Sequence, residues 1–133
     1  MDGGEPTSSI SDAGLAALVM LLRFQGVGAD PKQIDHQFGG IPIGAPEMLR
    51  GAKGFGLKAR SVVTKWERLG GMPLPGIAAL RDGSFLLLGK AGDDKIIVQA
   101  PLSLRPTLMV RAEFEAIWDG RLVLMTRRAA LTV

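Results

Sequence analysis

The chain contains no cysteine and a single histidine, His36, among its 133 residues. Without a thiol there is no disulfide, no thiolate nucleophile and no cysteine-ligated metal. His36 lies in Ile34-Asp35-His36-Gln37-Phe38 with no partner at metal-ligand spacing, and reads as a helix-surface or capping residue. A Ser–His–Asp triad would have to recruit it, although Ser8, Ser9 and Ser11 sit beside no histidine. Long apolar runs are also missing. The longest, Leu15 to Leu22, is far short of the ~20 residues that span a bilayer. The first residues, Met1 to Glu5, lack the basic start of a signal peptide. Charge of one sign is not concentrated either: 16 Lys and Arg stand against 13 Asp and Glu, giving a net charge of +3. The basic residues look scattered, with Arg127-Arg128 the nearest thing to a cluster, so a solvated surface is preferred to a nucleic-acid footprint.

What remains is a chain able to bury a core. It is 47% hydrophobic and long enough for one domain, while 18 glycines and 8 prolines predict short elements joined by tight connections. We expect a flexible tail over 1–8, a single domain over 9–128, and the start of a linker or tail over 129–133. A helix is predicted from Asp12 to Gln25 with Ser11 as a possible N-cap, apolar nearly all round and hence central. Asp30 followed by Pro31 caps a second helix, in which Ile34 and Phe38 share the buried face and Gly39-Gly40 ends the element. Pro46 opens a third helix through about Lys53. Leu57 to Val63 reads as a strand, and Thr64 as the cap of a short turn carrying Trp66 and Leu69.

After Pro75 the pattern changes to strands: Ile77 to Arg81, Phe85 to Lys90, Ile96 to Gln99, Thr107 to Val110 and Arg121 to Thr126. Asp82-Gly83 is a strong hairpin signal, and Arg111 to Trp118 reads as a short helix ended by Asp119-Gly120. Helices first and strands after argue for an α+β fold on a mainly antiparallel sheet. Two further patterns carry no chemistry. Gly51-Ala52-Lys53-Gly54-Phe55-Gly56 follows a helix and lacks a Gly-Lys-Ser/Thr ending, so it terminates that helix rather than cradling phosphate. Asp93-Asp94 reads as a solvated turn rather than a cation site. Trp66 and Trp118 are expected to pack beneath loops.

The segment Ser9-Ile10-Ser11-Asp12-Ala13-Gly14-Leu15-Ala16-Ala17-Leu18 resembles the start of the C39 peptidase domains of bacterial peptide-exporting ABC transporters, where an Asp-Cys-Gly triplet opens a buried helix. The likeness continues through Asp30-Pro31, Leu49 to Gly54, Leu57-Lys58-Ala59, Leu74-Pro75, Asp82-Gly83 with Phe85 to Leu88, and Glu113-Phe114 with Trp118-Asp119-Gly120. It implies a papain-like cysteine peptidase fold in which a thiolate is activated by a histidine, an aspartate orients that histidine, and a glutamine helps hold the oxyanion. On this resemblance the four positions are occupied here by Ala13, Phe85, Ala100 and Thr7. Ala13, Phe85 and Ala100 have no heteroatom with which to do the chemistry of the residues they replace, and the glutamine is absent at Thr7.

The resemblance therefore narrows to the catalytically degenerate C39-like domains at the N-terminus of type I secretion transporters, which export RTX-type toxins. It implies a domain that is not an enzyme and that recruits unfolded polypeptide for export. The implied place is the cytoplasmic face of the bacterial inner membrane, within a longer membrane protein. No cofactor is expected in this domain, ATP and Mg being expected only in the nucleotide-binding domain of a parent transporter. The implied substrate contacts fall at Phe24, Ala79 and Phe85, with plain core packing the alternative for Phe24 and Phe85. Two other functions stay open: a module docking on the transporter's own nucleotide-binding domain, and an enzyme with an unrecognised site around His36.

Overall fold

The computed structural model describes residues 5–103 and 105–127. The expected tail over 1–4, Arg128, the expected linker over 129–133 and the side chains of Thr7, Ser8, Ser9 and Ser11 lie outside the described parts. Three helices come first: α1 (Glu5–Phe24), α2 (Pro31–Gln37) and α3 (Ala45–Gly54). They are followed by β1 (Leu57–Val63), α4 (Trp66–Leu69), β2 (Gly76–Leu80), β3 (Phe85–Ala91), β4 (Lys95–Gln99), β5 (Thr107–Val110), α5 (Arg111–Ile117) and β6 (Trp118–Arg127). The strands form one sheet in the order β1-β6-β2-β3-β4-β5, and every pair is antiparallel.

Local chemistry accounts for most boundaries. The Asp30 carboxylate accepts the Lys32 N–H at 3.0 Å, and Pro31 follows at the first helical position, where its missing N–H costs nothing. In α3, Glu47 reaches back to accept the Gly44 N–H at 2.8 Å. The β2–β3 hairpin turns on Gly83 at φ +89°, while the Asp82 carboxylate accepts both the N–H and the hydroxyl of Ser84.

Three expectations need correction. Helix α1 begins at Glu5, so Ser11 lies inside it and residues 5–8 of the expected tail are helical. Pro6 in the first turn is compatible with this start, because its fixed φ is helical. Thr64 does not cap α4: Lys65 holds that position, and the Thr64 N–H donates to the Gly120 carbonyl at 2.9 Å. The last strand does not start at Arg121, after Asp119-Gly120. Strand β6 already starts at Trp118 and passes through Gly120 at φ +95°, with a register shift against β2 between Ala78 and Leu80.

Because side chains alternate along a strand, the sheet has two apolar faces, and each is covered. On one face Ile77, Leu87, Val123 and Met125 meet Leu15, Leu18 and Leu22 of α1, Ile34 of α2 and Met48 of α3. On the other, Ala78, Leu86, Leu88, Leu122 and Leu124 meet Trp66, Leu69, Phe114 and Trp118. Phe114 stacks on Trp118 with centroids 5.0 Å apart and tilts against Trp66 at 6.1 Å. Both indole N–H groups are satisfied, Trp66 by the Asp93 carbonyl at 3.2 Å and Trp118 by the Arg121 carbonyl at 2.8 Å. The two tryptophans thus close the second core under the β3–β4 turn and α5.

Candidate functional site

Helix α1 is buried on one side only. Leu15, Leu18 and Leu22, at helical spacing, point into the core, whereas Ala16, Met20 and Phe24, each four residues apart, form an outer stripe. Ala13 belongs near this stripe, since seven residues turn an α-helix to within about 20° of the starting direction. Ala13 and Met20 are half-buried, and Phe24 is 58% exposed.

The stripe forms one wall of a groove of about 780 Å³. From α1 come Leu15, Ala16, Val19, Met20, Arg23 and Phe24; Pro31 of α2 adds to them, and Gln99, Pro101, Leu102 and Ser103 form a second wall. That wall is held by its own bonds. Gln99 Nε2 donates to the Ser103 carbonyl at 2.9 Å, and the Ser103 N–H to the Ala100 carbonyl at 3.0 Å. Leu102 stands at its tip, 65% exposed. The end of α1 is pinned to the sheet: Arg127 Nε donates to the Gln25 carbonyl at 2.9 Å, and Gln25 Nε2 to the Met125 carbonyl at 3.0 Å. Arg23 is the one charged residue among those lining the groove. The site is thus an open, mainly apolar channel between a fixed helix and a self-braced loop.

Of the three substrate contacts expected from the sequence, only Phe24 lines this groove. Ala79 and Phe85 face each other across the β2–β3 hairpin. Ala79 is buried, 6% exposed, and Phe85 is half-buried against the core under α1. Ala100 is exposed between two groove residues, Gln99 and Pro101. The side chains at Ala13, Phe85 and Ala100 bring only carbon to this side of the molecule. His36 is exposed in the last turn of α2. Asp93 and Asp94 are exposed in the β3–β4 turn, where the Asp94 carbonyl accepts the Arg111 N–H. Sequence reasoning missed Met20, Pro101 and Leu102 as groove residues. The i, i+4 spacing of Ala16, Met20 and Phe24 was the signal for the first of them.

Comparison with known proteins places this arrangement. Residues 6–130 match the Peptidase C39 family. The cyclolysin secretion/processing ATP-binding protein CyaB of Bordetella pertussis is 36% identical over 128 residues, 94% of this chain and 18% of that protein. The alpha-hemolysin translocation ATP-binding protein HlyB of Escherichia coli is 30% identical over 125 residues, again 18% of its length. The chain therefore spans less than a fifth of these relatives. Among solved structures, a double glycine motif protease from an AMS/PCAT transporter, in complex with the leader peptide, superposes with a TM-score of 0.79 at 19% identity, covering 89% of this chain and 86% of that one. The N-terminal peptidase C39 like domain of the toxin secretion ATP-binding protein from Vibrio parahaemolyticus gives 0.75 at 21% identity, covering 88% and 98%. These two likenesses speak for the fold. With the family match running over almost all of its length, the chain belongs to the Peptidase C39 family.

Proposed function

We propose that this chain is a non-catalytic C39-like domain of a type I secretion ABC transporter, and that it holds unfolded export polypeptide in the groove beside α1. One observation carries the reading. The helix position where the family's nucleophile is expected is Ala13, in a chain with no cysteine at all, yet the channel along the same helix face is open and apolar. A thiol-free channel can hold an extended chain without cutting it. Phe24 and Leu102, the most exposed apolar side chains of the two walls, are the contacts that an apolar segment would cover. Ala79 and Phe85 then support the hairpin beneath α1 rather than touch the cargo.

The names of the relatives support this reading, since CyaB and HlyB are secretion and translocation proteins for toxins. The bound leader peptide of the solved protease supports a peptide-holding groove. Among the described residues no helix is long and apolar enough to cross a membrane. The chain fits the soluble portion, 9–128, of a longer protein at the cytoplasmic face of the inner membrane, whose nucleotide-binding domain would take up ATP and Mg. Affinity should be modest, because ordering an unfolded segment opposes the contacts it makes.

The test is an amide-shift titration of the labelled chain with an unfolded segment of an RTX-type toxin. Shifts along Leu15–Phe24 and residues 99–103 are expected, with Phe24→Ser weakening binding at least about fivefold at unchanged melting temperature. Absence of shifts with unfolded cargo, or equal binding of folded cargo, would overturn the proposal.

A further inference from the structure

A second groove, of about 630 Å³, lies where α3 meets β1 and β6. The cations read as scattered in the sequence converge here: Arg50 and Lys53 come from α3, Lys58 and Arg60 from β1, and no acidic residue lines the groove. The spacing explains the convergence. Residues two apart share one face of a strand, and residues three apart share one side of a helix. Glu47 lies near, but its carboxylate is engaged by the Gly44 N–H and pairs with Arg50 at 3.3 Å. Lys53, Lys58 and Arg60 form no ion pair among the described residues.

The groove also has backbone to offer. Strand β1 is the first of the sheet and pairs only with β6, so half of its N–H and C=O groups point away from any strand among the described residues. Residues of both faces of β1 line the groove, together with Leu124 and Thr126 of β6, so the groove takes in this edge strand. Its remaining lining is mainly apolar, with Leu49, Leu57, Pro73 and Leu124 beside the hydroxyl-bearing Thr126. Cations on an edge strand also deter self-pairing. That role needs nothing from α3, whereas Arg50 and Lys53 reach the same groove.

We propose that this groove docks an acidic, extended polypeptide segment of a partner protein, which adds a strand along β1 and places its carboxylates among Arg50, Lys53, Lys58 and Arg60. Strand addition supplies main-chain hydrogen bonds, and the four cations supply charge complementarity. A nucleic acid is the poorer fit, since no aromatic side chain lines the groove to stack a base. An anionic membrane surface is flat and would not follow a channel. This site is distinct from the groove beside α1 and does not depend on its occupant.

The experiment titrates the labelled 133-residue chain with a peptide of about ten residues alternating glutamate and valine. Expected are amide shifts in Leu57–Val63 and Ala45–Gly54, and an affinity that falls at least about tenfold when salt rises from ~50 to ~300 mM. The pair Lys58→Glu with Arg60→Glu should weaken binding tenfold or more, and Lys90→Glu with Lys95→Glu, the same charge change on β3 and β4, less than about twofold. The salt series on the unaltered chain keeps the proposal falsifiable should the first pair fail to fold. Equal binding of a glutamine–valine peptide, shifts confined to the α1 groove, or tighter binding of single-stranded oligonucleotide or phosphatidylserine vesicles would each overturn it.

Discussion

Gly14 stands in the middle of a long helix, where glycine is disfavoured by roughly 1 kcal/mol against alanine. Its presence is explained by the chain it crosses. A Cβ at position 14 would lie 2.0 Å from the carbonyl oxygen of Ile43, 3.0 Å from its carbonyl carbon and 3.3 Å from its Cβ. Carbon and oxygen in contact sit about 3.3 Å apart, so Gly14→Ala forces a separation of roughly 1.3 Å between α1 and the segment before α3. The obstacle is backbone and cannot rotate away, and Ile43 is itself buried among the residues under α1. Overpacking of this kind costs about 1–3 kcal/mol, and a backbone obstacle puts the cost at the upper end. Subtracting the ~1 kcal/mol gained in helix propensity leaves a net loss near 2 kcal/mol. For a domain of this size that lowers the melting temperature by about 6–10 °C, read by circular dichroism or calorimetry. The matched control is Gly54→Ala at the end of α3, where an added Cβ meets nothing within 4 Å and stability should hold or rise. If Gly14→Ala melts within about 2 °C of the parent, the close crossing of α1 over Ile43 is wrong.

Three further predictions follow from single side chains. Phe114 is fully buried between Trp66 and Trp118, so Phe114→Ala should cost about 3–5 kcal/mol in urea denaturation; a loss below ~1 kcal/mol would mean that the aromatic cluster is not packed as described. Ala13→Cys should restore a thiol but no cleavage of a double-glycine leader peptide, because the single histidine is exposed on α2; any cleavage seen by mass spectrometry would contradict this. The hydroxyl of Ser84, and then its N–H, hold the Asp82 carboxyl below the usual aspartate range. Its folded pKa lies below its unfolded one, so its contribution is complete above about pH 4 and is lost as pH falls through the folded value. On this exposed turn the contribution stays under ~1 kcal/mol. Hydrogen-exchange protection at Gly83 and Ser84 should fall in acid in the parent and already be low at neutral pH in Asp82→Ala; a flat profile in the parent would refute the link.

Much of the fold was legible because its signals are local. Asp30-Pro31, Asp82-Gly83 and the alternation in Leu57–Val63 each act within a few residues, and the structure places α2, the hairpin and β1 where they point. The misreadings arose where distant partners decide. Asp119-Gly120 reads as the break before the last strand, but pairing of Trp118 with Leu80 of β2 starts β6 three residues earlier. Thr64 reads as a cap, but Lys65 holds that position, and the Thr64 N–H donates to the Gly120 carbonyl of the neighbouring strand. The groove was legible only in part. Phe24 was identified, while Leu102 reaches the site through a loop some eighty residues away, which helical spacing cannot reveal. The basic groove was invisible for the same reason, since it needs α3 set against β1.

These distinctions bear on how a peptidase fold can lose its chemistry and keep its shape. Gly14 is demanded by a steric contact with Ile43 that has nothing to do with a nucleophile, so an Ala-Gly pair in the middle of α1 satisfies the fold as fully as Cys-Gly would. Ala13, half-buried at the edge of the outer stripe, requires no hydrogen-bond partner and leaves no polar atom stranded. Phe85, where the resemblance expects an imidazole, packs into the core beneath α1 and adds apolar area there. At Ala13 and Phe85 the residue present is thus neutral or favourable for folding. The groove depends on other residues, Met20, Phe24 and the braced 99–103 wall, and none of these needs the lost groups to hold its place. The shape of the groove is thus held by residues other than those at the positions where the resemblance expects the catalytic groups.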